Sequence, residues 1–183
     1  MFVRTDRLLL RPGWIEDAPA LARAITEPVA RNTARIPWPY TQEHAEAYLG
    51  MAKDAHAPNC LIFARTARVP RLIGAVALSP DEEGHEIGYW LAQPYWGLGF
   101  ATEAASALLR AARESLRIER IHSGHFADNR ASGRVLRKLG FRPTGKVVKR
   151  HAVARGCEVD CLLYADADGQ CEEPTAMRCL EAA

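Results

Sequence analysis

A chain of 183 residues has room for one domain of ordinary size with a short extension. Hydrophobic residues make up 48% and charged residues 25%, enough for a packed core and incompatible with wholesale disorder. The formal net charge of +2 is too balanced to point to nucleic acid, and the longest uncharged apolar run, Leu72 to Leu78, is far too short to span a bilayer.

The opening MFVRTDRLLLR places charges where an export signal needs an apolar block. With five scattered cysteines (Cys60, Cys157, Cys161, Cys171 and Cys179), an odd number, it predicts a cytoplasmic protein with reduced thiols. No Cys-x-x-Cys pair is present, so no metal site is expected. Cys157 and Cys161 share one predicted strand and lie roughly 13 Å apart along it, too far for a disulfide.

Residues 6–11 read as a short strand. Residues 14–30 predict a helix, with Ile15, Ala18, Leu21, Ala22 and Ile25 at helical spacing. The segment RIPWPY (35–40) is a structured loop, since its two prolines exclude a regular helix or central strand. Thr41 N-caps a second helix running to about residue 54. Residues 59–67 and 71–78 form a hairpin, and 85–92 a third strand that ends before Pro94. That strand is apolar on both faces, which makes it central. An amphipathic helix follows from Ala101, with Ala104, Ala105, Leu108, Leu109, Ala112 and Leu116 on its inner face. Residues 119–127 are a strand. Asp128-Asn129 open a helix that carries Val135, Leu136 and Leu139 inward and is capped by Gly140. Residues 143–165 give two strands joined near Arg155-Gly156, and 166–183 a loose tail or short helix. The whole predicts one domain over 1–165 of the α/β class (α+β type). Its single mixed, mostly antiparallel sheet has six or seven strands, with one βαβ crossover across 85–127.

The chemistry concentrates where the third strand runs through Gly97-x-Gly99-x-Ala101 into a helix. Amides in a helix's first turn have no internal partner and sit at the positive end of its dipole. Small residues let an anion approach them. A phosphate against residues 97–102 is one reading; a tight turn that uses glycine for sterics alone is the other. A dinucleotide fingerprint fails because Thr102 stands at its third glycine position, and the Gly-Lys-Ser/Thr ending of a P-loop is missing.

Three strings narrow the choice: EIGYWLAQPYWGLGFATEA (Glu86–Ala104), NRASGRVLRKLGF (Asn129–Phe141) and TDRLLLRP (Thr5–Pro12). Together they resemble the GCN5-related N-acetyltransferase superfamily, and within it the branch holding the ribosomal-protein N-terminal acetyltransferases. Matching segments run from about residue 5 to 165. The resemblance implies that family's fold, with helices on both faces of the sheet. It also implies a Gln/Arg-x-x-Gly-x-Gly/Ala motif cradling the pyrophosphate of coenzyme A, which falls on Trp96-x-x-Gly99-x-Ala101. Trp96 departs from the motif, but backbone amides of Leu98, Gly99, Phe100, Ala101 and Thr102 beside Gly97 carry the binding. The central strand and its parallel neighbour should diverge, placing Leu91 and Ala92 beside the cofactor arm. Asn129, also a good N-cap, should contact the arm near the thiol; Arg134 and Lys138 either reach the phosphates, Arg134 being the candidate, or form a solvated face.

Glu86 is the implied general base; the plainer reading is a strand-end carboxylate in solvent or a salt bridge. His85 next to it points to the opposite face, while His122 and His125 on the adjacent strand could polarise a substrate, the plainer reading being a structural role. Leu136 stands where many superfamily members carry a tyrosine acid. Ser132 takes that place in the related branch, as acid or merely as a positioner of thiol or water. Trp38 and Tyr40 are candidates for the acceptor wall, or simply pack under their loop.

The sequence thus reads as an acetyl-CoA-dependent N-acetyltransferase working by direct attack in a ternary complex, since no cysteine in either motif offers an acyl carrier. The acceptor is a primary amine, on a protein N-terminus or a small molecule. No nucleic acid, membrane or metal is expected, and a homodimer is compatible with this reading. The alternatives are a non-catalytic acyl-CoA sensor, which would not need Glu86, and a nucleotide-dependent oxidoreductase, which Thr102 and the antiparallel pattern disfavour.

Overall fold

The computed structural model describes residues 1–51, 54 and 56–166. Among these described residues, eight strands form one sheet: β1 (Val3–Arg4), β2 (Leu8–Arg11), β3 (Asn59–Ala64), β4 (Arg71–Asp81), β5 (Gly84–Leu91), β6 (Ile121–Phe126), β7 (Phe141–Ala152) and β8 (Cys157–Asp166). Their spatial order is β1-β2-β3-β4-β5-β6-β8-β7. Every neighbouring pair is antiparallel except β5 and β6.

Among the described residues, five helices cover the two faces: α1 (Ala18–Ala24), α2 (Glu27–Arg31), α3 (Gln42–Gly50), α4 (Phe100–Leu116) and α5 (Arg130–Lys138). The alternation of side chains along β5 decides which face each residue serves. Ile87, Tyr89 and Leu91 join the core with α4 and α5 (Phe100, Ala104, Leu108, Leu136). Trp90 joins the core with α1, α2 and α3 (Leu21, Val29, Leu49). Burying a leucine such as Leu108, fully enclosed, contributes about 2 kcal/mol.

The predicted architecture is the observed one, with three differences. The sheet has eight strands because Val3–Arg4 adds a short edge ladder to β2, an element too brief to show a period. The helix expected over 14–30 is a 3-10 turn (Ile15–Asp17), then α1 and α2. Its break comes from Pro28, which has no N–H to continue a helix. The backbone turns extended at Ile25 and Thr26, and Pro28 sits in the first turn of α2, where the missing donor costs nothing. The helix after Thr41 stops at Gly50; its predicted cap is present, with Thr41 Oγ1 accepting from the His44 amide at 3.3 Å.

Asn129 caps α5 by accepting from the Ser132 amide at 3.2 Å, and Gly140 follows that helix in the left-handed region. Cys60, Cys157 and Cys161 are free thiols. Asp166, placed in the tail by sequence, closes β8 and is buried against Arg113, while residues 167–183 lie outside the described residues.

Candidate active site

Past Leu91 the chain makes a 3-10 turn over Gln93–Tyr95 and enters α4 through two left-handed residues, Gly97 (φ 76°) and Gly99 (φ 82°). Glycine is needed at both for conformation, because any Cβ is strained there. It is not needed for lack of room. Nothing lies within 4 Å of where a Gly97 Cβ would point, and at Gly99 there is only Arg7 Nη2, at 3.5 Å. The turn therefore leaves open space above both glycines, beside the first amides of α4.

Beside it, β5 and β6 part. Their ladder consists of His85↔Ile121 and Glu86↔His122. At the next step a side chain replaces the backbone, with Ser123 Oγ donating to the Ile87 carbonyl at 2.8 Å. On its other edge β5 stays paired to β4 as far as Leu91. The Ala92 amide donates to the Ile73 carbonyl at 2.7 Å, so that group serves β4. Backbone groups alternate along a strand, which turns the Leu91 N–H toward the gap. The Leu91 carbonyl accepts from Trp96 Nε1 at 2.7 Å, tying the glycine loop to the end of β5.

The α4–α5 side of the gap holds the second motif. Asn129 and Ser132 lie in the first turn of α5, and the Tyr89 hydroxyl sits 3.0 Å from Ser132 Oγ. Arg134 is exposed on α5. A groove of about 400 Å³ runs from Thr102 along α4 past Arg110 to Lys138.

The opposite side holds Glu86, which shares its face with Trp90. Its carboxylate forms an ion pair with Arg150 of β7; Glu86 is 18% exposed and Arg150 34%. Burial works against the Arg150 cation, but the hydrogen bond and charge of Glu86 raise its pKa overall. In the same row, His122 Nε2 lies 2.8 Å from Asp81. Burial pushes the Asp81 carboxyl up, but the His122 hydrogen bond and charge, with the Glu83 and Gly84 amides, hold it below its usual range. A cavity of about 380 Å³ opens on this side between α2 (Glu27, Arg31) and the ends of β5 and β6, where Trp96 and Asp128 face each other. Arg155 braces one wall by donating to the Arg31 carbonyl at 2.7 Å and to Asp128 at 2.6 Å.

The structure thus gathers Leu91, Trp96 to Thr102, Asn129 and Ser132 about one gap, with Glu86 at its narrow end. Tyr40 packs in the α1–α3 core, its ring centroid 5.5 Å from that of His44, and burial pushes its phenol up to about 12. Trp38 is an exposed indole in the preceding loop.

A cation beside the glycine turn was not foreseen. Arg7, at the start of β2, donates from Nε to Glu103 Oε2 at 2.7 Å and from Nη1 to the Leu98 carbonyl at 3.1 Å, and lies over the Phe100 ring at 4.4 Å. Thr5 adds a 2.6 Å hydrogen bond to Glu103. Burial raises the Glu103 carboxyl, but Thr5 and Arg7 together hold it below its usual range. Replacing Arg7 by alanine is expected to lower stability by about 1–2 kcal/mol at neutral pH, read by denaturant unfolding. A depressed carboxyl stabilises above its unfolded value and loses that contribution as pH falls through its folded one. The parent and the variant should therefore converge in acid.

Residues 7–142 match the acetyltransferase (GNAT) domain, and the chain belongs to that family. It is similar to the uncharacterized N-acetyltransferase p20 of Bacillus licheniformis, 28% identical over 167 residues, covering 88% of this chain and 93% of that protein. It is also similar to the ribosomal protein uS5 alanine N-acetyltransferase of Escherichia coli, 27% identical over 154 residues, 77% of this chain and 78% of that one. Among solved structures, RimL, a ribosomal L7/L12 α-N-protein acetyltransferase in complex with coenzyme A, shares the fold. Its TM-score is 0.76 over 92% of this chain and 99% of that chain, at 22% identity. The protein is an acetyltransferase.

Proposed function

We propose that the protein acetylates a primary amine with acetyl-CoA by direct attack in a ternary complex, in the cytoplasm. The observation that carries this reading is the gap between β5 and β6, with the left-handed glycine turn at its mouth. The open space over Gly97 and Gly99 suits a pyrophosphate. Amides of Leu98 to Thr102 would hold it, and the groove with Arg110 and Lys138, together with Arg134, would take the nucleotide end. Leu91 N–H and Asn129 would hold the arm. Acetyl-CoA supplies an acetyl group already activated as a thioester.

The acceptor enters from the other side, through the cavity between α2 and Trp96, with Trp38 and Tyr40 in the outer layer. Glu27 and Asp128 line it, each paired with an arginine of the same lining (Arg31 and Arg155), so these four charges balance and the cavity selects by shape and hydrogen bonding. An amine is an ammonium at neutral pH and must shed a proton before attack. Glu86, oriented by Arg150, receives that proton through water. Strand rise puts Glu86 roughly 16 Å from Leu91, so a relay is required. Ser132 supports the departing sulfur, and holding both reactants in one gap supplies much of the rate.

The test is a panel of alanine- and serine-headed peptides, polyamines, aminoglycosides and free amino acids, read as thiol release from acetyl-CoA. One class should exceed background hydrolysis, the branch resemblance favouring peptides. A protein that binds acetyl-CoA yet releases thiol with none of them is a sensor.

A further inference from the structure

Tyr89 stands on β5 at the level where β5 and β6 are no longer paired. Its hydroxyl reaches the first turn of α5 and lies 3.0 Å from Ser132 Oγ and 3.1 Å from the Ser132 carbonyl oxygen. The phenol therefore bridges the central strand to the helix across the floor of the gap. The backbone of Ser132 is fixed independently, its amide donating to Asn129 Oδ1 at 3.2 Å and to the Asn129 carbonyl at 3.1 Å. What the backbone leaves free is the serine hydroxyl. It has one proton and rotates to suit its partners.

The phenol also has one proton to give. The phenol can give it to the Ser132 carbonyl, whose second lone pair remains after the helix's own amide has taken the first, or to Ser132 Oγ, which has two lone pairs to offer. When Tyr89 donates to Oγ, the serine's proton must point away from the ring. Burial pushes the Tyr89 phenol up to about 12 although the Ser132 hydrogen bond opposes it, so the group remains a donor across the working range.

We propose that Tyr89 is a positioning residue for acetyl transfer: its hydroxyl holds Ser132 Oγ so that the serine proton is presented to the sulfur that leaves. The inference rests on acetyl transfer in this gap as proposed above. No proton changes owner at Tyr89. The amine nitrogen forms its bond to the acetyl carbon, the carbon–sulfur bond breaks, and its electron pair goes to sulfur. Ser132 steadies that thiolate by hydrogen bonding. The proton that finally neutralises the sulfur comes from the nitrogen by way of water. Leu136 cannot serve here, being a fully buried hydrocarbon.

The test is a four-member cycle of the full chain: parent, Tyr89→Phe, Ser132→Ala and the double variant. It measures kcat and KM with the best acceptor of the panel, and coenzyme A affinity by calorimetry. Phenylalanine keeps the packed ring and removes only the oxygen. Tyr89→Phe should lower kcat about tenfold, the worth of one hydrogen bond. The KM for acetyl-CoA and the coenzyme A affinity should stay within about twofold. The double variant should be no slower than Ser132→Ala, because the tyrosine acts through the serine. A purely structural tyrosine would move coenzyme A affinity and would multiply with Ser132→Ala. Either result, or a parent-like kcat in Tyr89→Phe, overturns the assignment. A parent that binds coenzyme A but transfers to no amine instead overturns the acetyl-transfer reading itself.

Discussion

Replacing Gly99 by aspartate should reduce coenzyme A affinity at least about 100-fold. Two unit charges about 4 Å apart near a protein surface repel by about 4 kcal/mol, and 100-fold is about 2.8 kcal/mol. The new carboxylate would point into the space where only Arg7 Nη2 stands, 3.5 Å from the added Cβ. Arg7 is already engaged by Glu103, so it neutralises the newcomer incompletely. The left-handed φ adds about 1–2 kcal/mol of strain to the fold. Gly99→Ala separates the two effects, since it carries the strain without the charge and should keep affinity within about tenfold. Titration calorimetry with coenzyme A measures both. Parent-like affinity in the aspartate variant would place the phosphates elsewhere.

Glu86→Gln should lower kcat about 100-fold while leaving acetyl-CoA affinity unchanged, as expected for loss of a proton acceptor away from the cofactor arm. The amide keeps the shape and still offers an oxygen to Arg150, but the charge partnership is gone. Because Arg150 is one-third exposed, stability should fall by no more than about 1 kcal/mol. Steady-state kinetics beside a thermal unfolding curve tells the cases apart. Unchanged turnover would leave Glu86 as half of a structural ion pair.

What the sequence disclosed about this site follows from chain proximity. The glycine turn, the start of α4, and the pair Asn129 and Ser132 each lie within a few residues of one another, and caps and left-handed positions are local chemistry. The central place of β5 was legible from its two apolar faces. The partners were not. Glu86 meets Arg150 from 64 residues away, Tyr89 meets Ser132 from 43, and Arg7 meets Glu103 from 96. Each pairing is created by strand order, with β8 inserted between β6 and β7 and β2 brought alongside α4. No period or motif encodes that order. The break at Ile25–Thr26 is a different failure. Pro28 signals it, but the apolar spacing across it is helical on both sides and hides the interruption.

Arg155 cross-links one wall of the proposed acceptor cavity. One guanidinium joins α2, the end of β6 and the β7–β8 turn, and it also lies 4.9 Å from the centre of the Phe126 ring. One side chain thus cross-links that bank. The facing bank is the indole of Trp96, bonded to the Leu91 carbonyl, on a loop that Arg7 also holds at the Leu98 carbonyl. If the proposed acceptor uses this cavity, one too bulky for it would have to displace the tryptophan, and with it the same loop whose glycines we propose as the anion cradle.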